Sequence, residues 1–442
     1  MIGIRHGKTI AVVIGLAAFT SFGVNSAMSD PPPAPSGGPY SSSAHGSSVN
    51  GVDRSTIDAS YSVFAKGNCS HCHEQHASLE GAEPAPISLN NLPSPALGFA
   101  AEQDLCFECH DASGPAPAAA DVETQFNSLT YKHGKAGAFD YMETYDNRHQ
   151  PKEQTSVDFS ALDRHAECAD CHNPHKATKA NPLLGASGIT VTNGAGWAEP
   201  SYSATTAEVS SERDQYKVCF KCHSGWAGYG AGTNQGVEFN PGNRGFHGAG
   251  ASGARSYPMT MGTFNMTYVY KMMPRYKNDP NYDSDAELRD APMICSDCHG
   301  YNDGDPQGVH GSNLAKILKV PVGSNYTAWN NTITYASNST TIWCFNCHSS
   351  TFAGTGFAVS GGTNLHTNKH DGDLCMDCHV KVPHGWNERP RLVKPYNLAG
   401  GYARYQGTSA STGIATTVAN WRASGNWTES SAGSPHQNCT NN

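Results

Sequence analysis

The chain has 442 residues, of which 38% are hydrophobic and 15% charged, with 46 glycines, 26 prolines and a formal net charge of −9. One conventional apolar core is thin for that length, and the glycine and proline content puts much of the chain in loops. The acidic balance excludes a polyanion such as nucleic acid as the natural partner.

Residues 1–27 read as an export signal: Arg5 and Lys8 make a basic start, Ile10 to Phe19 an apolar stretch, and Asn25-Ser26-Ala27 a small-residue exit. An apolar stretch of about ten residues is half of the about twenty that a membrane span needs, and no later segment does better. The mature chain is therefore expected outside the cytoplasm, extracellular or on the outer surface, with the periplasm as a further compartment. Residues 28–60 read as an arm, because the run Pro31-Pro32-Pro33-Ala34-Pro35-Ser36-Gly37-Gly38-Pro39 lacks backbone donors and cannot hold a helix or strand. Residues 61–395 carry the cysteine motifs, and residues 396–442 form a polar tail with scattered aromatics such as Trp421 and Trp427. Within the middle region, Thr332-Ile333-Thr334-Tyr335 and Thr341-Ile342-Trp343 flank Ser337-Asn338 in the pattern of a small β-hairpin.

The chemistry lies in the cysteines. Fourteen of the 15 fall into one pattern, Cys-x-x-Cys-His, with pairs at Cys69 and Cys72, Cys106 and Cys109, Cys168 and Cys171, Cys219 and Cys222, Cys295 and Cys298, Cys344 and Cys347, and Cys375 and Cys378. They are closed by His73, His110, His172, His223, His299, His348 and His379. Two thiols three positions apart lie on one side of a helical turn, where each can form a thioether to a haem vinyl group, and the next residue then meets the iron. Zinc also takes paired cysteines and histidines, and an exported cysteine-rich chain is often a disulfide scaffold. Neither demands the histidine that closes all seven copies; haem attachment does. Cys439 is left over as an unreactive thiol or an intersubunit partner.

Seven proximal histidines leave seven sixth positions, and what fills them separates a carrier from an enzyme. Of 21 histidines, His6 leaves with the signal and seven are proximal, so 13 remain. That supply allows two histidines at every iron, a saturated arrangement suited to electron transfer and closed to substrate. His76 and His175 each lie three residues after a motif histidine, too close to wrap round the same haem, and so are expected to reach a neighbouring iron. His45, His133, His247, His310 and His384 each precede a glycine, which lets the backbone pass close to a flat ring. His149, His165, His366 and His370 are further distal candidates, while His71 and His436 rank lowest. Met259, Met261, Met266, Met272 and Met273 offer thioether ligation as an alternative, but with histidine in surplus they read as fillers of apolar gaps.

Successive first cysteines are 37, 62, 51, 76, 49 and 31 residues apart, so no solenoid period exists. With about 59 residues per motif, no haem has a private core. The expected fold is mostly irregular, with short helices at the motifs and a few short strands, wrapped around a haem stack that dictates its conformation.

The run Cys168-Ala169-Asp170-Cys171-His172-Asn173-Pro174-His175, the Cys295 motif followed by Val309-His310-Gly311, and Cys375-Met376-Asp377-Cys378-His379 followed by His384-Gly385-Trp386 resemble the exported multihaem cytochromes of metal-reducing bacteria. The resemblance spans roughly residues 45–395. It implies bis-histidine haems packed in alternating parallel and perpendicular pairs, seven haem c groups here, and delivery of electrons to minerals, electrodes or partner redox proteins. Some members of that class polymerise into conductive filaments, but the well-known filament type has six haems, not seven. The alternative is a multihaem reductase in which one open haem acts on a small molecule such as nitrite.

Overall fold

The computed structural model describes residues 38–73, 102–114, 121–134, 166–227, 234–247 and 264–350, with brief interruptions, and short pieces at 357–358, 364, 366–368, 371–372, 384–386, 417–418, 425–429 and 438–441. The export signal, the proline run before Gly38, the seventh motif (Cys375, Cys378, His379), and His76, His149, His165, His370 and His436 lie outside the described residues. None of the described helices exceeds nine residues and none of the described strands exceeds eight. No described helix is long and apolar enough to cross a membrane.

Four of the six described motifs are single helical turns, and the same backbone bond closes each of them. The amide of the motif histidine donates to the carbonyl of the first cysteine in His73 to Cys69 (2.9 Å), His172 to Cys168 (2.8 Å), His299 to Cys295 (3.0 Å) and His348 to Cys344 (2.9 Å). The second and fourth motifs close longer helices: Glu102–His110 carries Cys106 and Cys109, and Gln215–His223 carries Cys219 and Cys222. Where the motif reads Cys-x-Asp-Cys, the aspartate reaches back to the amide before the turn: Asp170 accepts from Glu167 and Asp297 from Ile294, both at 2.8 Å. The histidine then leaves the helix in extended conformation, as His172 (φ −117°, ψ 143°) and His299 (φ −104°, ψ 133°) do.

The strands are short connectors. In chain order they are β1 (Tyr131–Lys132), β2 (Ser187–Thr192), β3 (Ser201–Glu208), β4 (Gly245–Phe246), β5 (Gly311–Ser312), β6 (Phe357–Ala358), β7 (Gly385–Trp386), β8 (Thr417–Val418), β9 (Gly425–Glu429) and β10 (Asn438–Asn441). β2 and β3 form an antiparallel hairpin with a register shift between Gly188 and Thr190. β1 pairs with β5 and β4 with β7, both antiparallel. The last strands make a four-stranded sheet in the order β6-β9-β10-β8.

Two sequence expectations give way here, and a third gains detail. The arm at 28–60 is folded from Gly38 onward: Asp53 and Asp58 cap the 3₁₀ turns Arg54–Thr56 and Ala59–Val63, and Ala44 donates to the carbonyl of Ala177 (2.8 Å). The polar tail contains β8, β9 and β10, where Thr417, Val418, Trp427 and Thr428 supply the β-branched and aromatic residues that strands favour. The backbone of Cys439 lies in β10. Of the hairpin expected at 332–343, residues 332–334 and 339 lie outside the described residues, and the described part is not paired as a hairpin. Tyr335–Asn338 is a helical turn, Ile342 bridges Ala328 in parallel, and Trp343 begins the 3₁₀ turn of the sixth motif. The motif's helical requirement overrides the alternation there, and the buried Trp343 indole donates to Lys319 O at 2.8 Å.

Apolar burial is divided among four clusters. The largest gathers Val269, Met272, Met273, Tyr276, Leu288, Ala291, Leu318, Val320 and Trp343, with Cys298 and Cys347 packed against it. Others collect Ile189, Tyr216, Phe220 and Phe239 beside Cys219, then Ala186, Val209 and Val218 beside Cys171, and Ile342 with Phe345 beside Cys344. Met272 and Met273 fill core volume, whereas Met266 is exposed; Met259 and Met261 lie outside the described residues.

A buried ion pair ties the largest cluster to the fifth motif. Arg275 grips Asp297 with both terminal nitrogens, Nη2 at 2.6 Å from Oδ2, and Nη2 also donates to Pro292 O at 2.7 Å. The Asp297 side chain is 2% exposed. Removing one partner of such a pair strands the other charge, so Asp297→Ala is expected to lower unfolding free energy by about 3–5 kcal/mol in chemical denaturation. A loss under about 1 kcal/mol would show that water relieves the pair.

Candidate metal centres

The described motif histidines do not stand alone. Each of the six faces one histidine from outside the motifs, at ring-centre separations from 5.9 Å to 6.3 Å: His73 with His175, His110 with His45, His172 with His310, His223 with His133, His299 with His384 and His348 with His247. Their interplanar angles run from 14° to 86°, so separation and not stacking is what they share. About 6 Å alone is ordinary for aromatic neighbours, and Phe264 also lies 6.0 Å from His348. The informative feature is that all six pairs join a motif histidine to an outside one.

A metal between two imidazoles in line holds each nitrogen about 2.0–2.1 Å away, and with about 1.1 Å from nitrogen to ring centre the two centres fall about 6.2 Å apart. The observed separations fit that arrangement. The far side of the rings fits too. Nδ1 of His45, His133, His172 and His299 lies 3.3, 2.6, 2.9 and 2.8 Å from the carbonyls of Pro174, Val309, Pro182 and Lys316. Nδ1 of His384 lies 2.9 Å from Oε2 of Glu238. Each of these oxygens only accepts, so Nδ1 carries the proton and Nε2 keeps its lone pair for a metal.

Protonation agrees. Burial, reinforced by neighbouring histidines, pushes His310 down to about 3 and His299 down to about 4, and burial also lowers His45, His172 and His175. All five are neutral at pH 7, the form that ligates.

The sequence assigns every motif cysteine to a haem thioether, and twelve of them are described. Cys69 is exposed, while Cys72, Cys106, Cys109, Cys168, Cys171, Cys219, Cys222, Cys295, Cys298, Cys344 and Cys347 are half-buried, and none of the twelve is in a disulfide. Burial raises Cys72 to about 11 and Cys171 and Cys347 to about 12, which leaves these thiols protonated and poor as zinc thiolates or nucleophiles. The two cysteines of the fourth motif differ in surroundings. Cys219 packs beside Tyr216 and Phe220 and its thiol bonds that of Cys295, whereas Cys222, three positions further along the same helix, is part of none of the four apolar clusters. Among the described residues no group of three or more His, Cys, Asp or Glu is placed to hold a metal ion.

The structure also sorts the distal candidates. His175 meets His73 and not His172, three residues before it, and all five histidines that precede glycine are paired. Glycine's role there is to admit protein: a Cβ on Gly134 would run into Phe126 and one on Gly311 into the carbonyl of Gln125. His366 is described in a turn, its amide donating to Asn364 Oδ1 at 3.0 Å. His71 is fully buried with both ring nitrogens engaged: Nδ1 accepts from the Arg54 amide (3.3 Å) and Nε2 donates to Ala65 O (3.0 Å). It is a structural residue that pins the first motif.

The pairs are linked in series. Arg54 donates to His71 O (3.3 Å) and pairs with Glu108 (3.7 Å), joining motifs one and two. Lys221 Nζ donates to Asp170 O (2.6 Å), and Gln215 exchanges two bonds with Ser296 (2.9 and 2.7 Å). Lys319 donates to Cys298 O (2.9 Å), with Trp343 on its other side. The outside histidines are coupled two by two. Ala44 to Ala177 ties His45 to His175, the His133 amide donates to His310 O (3.1 Å) beside β1 and β5, and the His247 amide donates to His384 O (3.4 Å) beside β4 and β7.

On the reading that a haem iron sits between each pair, replacing His310 by Ala is expected to convert one low-spin ferric centre per chain to high spin in the electron paramagnetic resonance spectrum. His71→Ala is expected to destabilise the chain and leave every centre low spin; a new high-spin signal from it would overturn the assignment of His71 as structural. No protein-family model, curated protein or solved structure matches this chain.

Proposed function

We propose that this chain is an exported seven-haem c-type cytochrome that relays electrons to acceptors outside the cell. The observation that carries the reading is the matching of six motif histidines, one to one, with six outside histidines at the spacing of two imidazoles on one metal. When bound, haem c supplies an iron that changes oxidation state by one electron and completes its planar coordination with the porphyrin.

The chain does the rest. Fourteen cysteines serve as thioether donors, Cys219 and Cys222 for the haem of the fourth motif among them. Seven motif histidines are proximal ligands, with His45, His133, His175, His247, His310 and His384 as distal ligands for six of them. Two imidazoles on one metal leave no position for a substrate, which favours a carrier over a reductase. Hydrogen bonds on Nδ1 fix ring orientation, and backbone bonds between neighbouring outside histidines fix each pair against the next. Rings held that firmly move little when charge changes, which suits rapid transfer. Links join motif one to motif two and run on from motif three to motif six, so motifs that are neighbours in the chain are there neighbours in space.

Purified protein is expected to carry seven covalent haems per chain by the pyridine haemochrome assay, to oxidise and reduce reversibly, and to turn over no nitrite above a free-haem control. Fewer than six haems per chain would contradict the reading, and steady nitrite reduction would favour the reductase alternative.

A further inference from the structure

Among the five rings of these pairs whose Nδ1 contact is described, one has a different companion. Nδ1 of His45, His133, His172 and His299 bonds a neutral backbone carbonyl, whereas Nδ1 of His384 bonds the carboxylate of Glu238 at 2.9 Å. Glu238 is 0% exposed, at the end of the short helix Gln235–Glu238. Its backbone is pinned by Asn243 Nδ2, which donates to Val237 O (2.9 Å) and Glu238 O (2.8 Å), and Asn234 Oδ1 caps the helix start at the Val237 amide (3.4 Å). Phe239 lies 4.8 Å from the His384 ring, and the His384 backbone is held by β4, β7 and the His247 amide. The carboxylate and the imidazole are therefore fixed relative to one another, and water is kept from the contact.

A carboxylate accepts a stronger bond from an imidazole N–H than a carbonyl does and makes the ring a stronger donor through its other nitrogen. A stronger axial donor stabilises ferric over ferrous iron. We propose that Glu238 is a positioning residue that aims His384 at His299 and lowers the reduction potential of the iron held between them, setting a low step within the series. The inference rests on the bis-histidine haem reading. Other buried charges stand near the same centre: Asp297 and Arg275 neutralise each other, and the buried Lys319 ammonium, bonded to Met272 O at 3.0 Å, acts in the opposite direction. Lys319 acts through space, while Glu238 acts through the axial ligand itself.

The test is a spectroelectrochemical titration of the holoprotein and two variants, each checked first for seven covalent haems. In Glu238→Gln, which retains an acceptor and loses the charge, one seventh of the absorbance change is expected to move to higher potential by about a tenfold change in oxidised-to-reduced ratio, 59 mV for a one-electron couple. Glu238→Asp keeps the charge at a longer reach and is expected to shift the same fraction upward by less. If Glu238→Gln fails to assemble, Glu238→Asp decides alone. Full haem loading with an unmoved titration in whichever variant assembles overturns the proposal. Absence of covalent haem in the unaltered protein would instead sink the reading beneath it.

Discussion

Six gaps organise this molecule. In each, two imidazoles face one another with ring centres about 6 Å apart, and in five of the twelve rings a hydrogen bond on Nδ1 leaves Nε2 with its lone pair. The partners come from far apart in the chain. His45 bonds a carbonyl 129 residues away, His133 one 176 away, and His384 a carboxylate 146 away. Closing such loops costs entropy that a chain rich in glycine and proline does not recover from a thin apolar core. Metal coordination supplies folding free energy directly, and on the haem reading it is the term that makes the closure favourable.

The division of apolar burial follows from the same constraint. The four clusters lie beside Cys171, Cys219, Cys298, Cys344 and Cys347 and do not merge into one interior. Apolar burial thus gathers beside the motif cysteines. The recurring motif turn is closed in four motifs by the histidine amide on the first cysteine's carbonyl. What varies from motif to motif is the far side of the outside histidine, and that is where one centre can be made to differ from the next: four carbonyls and a single carboxylate among the described contacts.

Local chemistry was legible in the sequence, and long-range chemistry was not. The Cys-x-x-Cys-His pattern is contiguous, so all seven copies could be read directly. The different surroundings of Cys219 and Cys222 could not, because the thiol that Cys219 meets belongs to Cys295 in the next motif. Glycine after His45, His133, His247, His310 and His384 and the three-residue offset of His175 from His172 marked the six outside partners, although the glycines admit neighbouring backbone and not only a flat ring. Which motif each histidine would meet depended on contacts far along the chain, from 65 residues apart (His45 with His110) to 138 (His172 with His310). Glu238 carried no local signal for the same reason: its partner is 146 residues on. The β2–β3 hairpin was passed over despite Ile189-Thr190-Val191-Thr192, and the alternation at 332–343 misled because the motif turn claims Trp343. The proline run obscured that the chain folds from Gly38 onward.

The central claim is that the irons are held by two imidazoles each. Near-infrared magnetic circular dichroism of the fully oxidised protein separates bis-histidine from histidine–methionine and high-spin ferric haem by the energy of the porphyrin-to-iron charge-transfer band. The account predicts bis-histidine intensity for at least six irons per chain. Histidine–methionine or high-spin intensity amounting to two or more irons would contradict it.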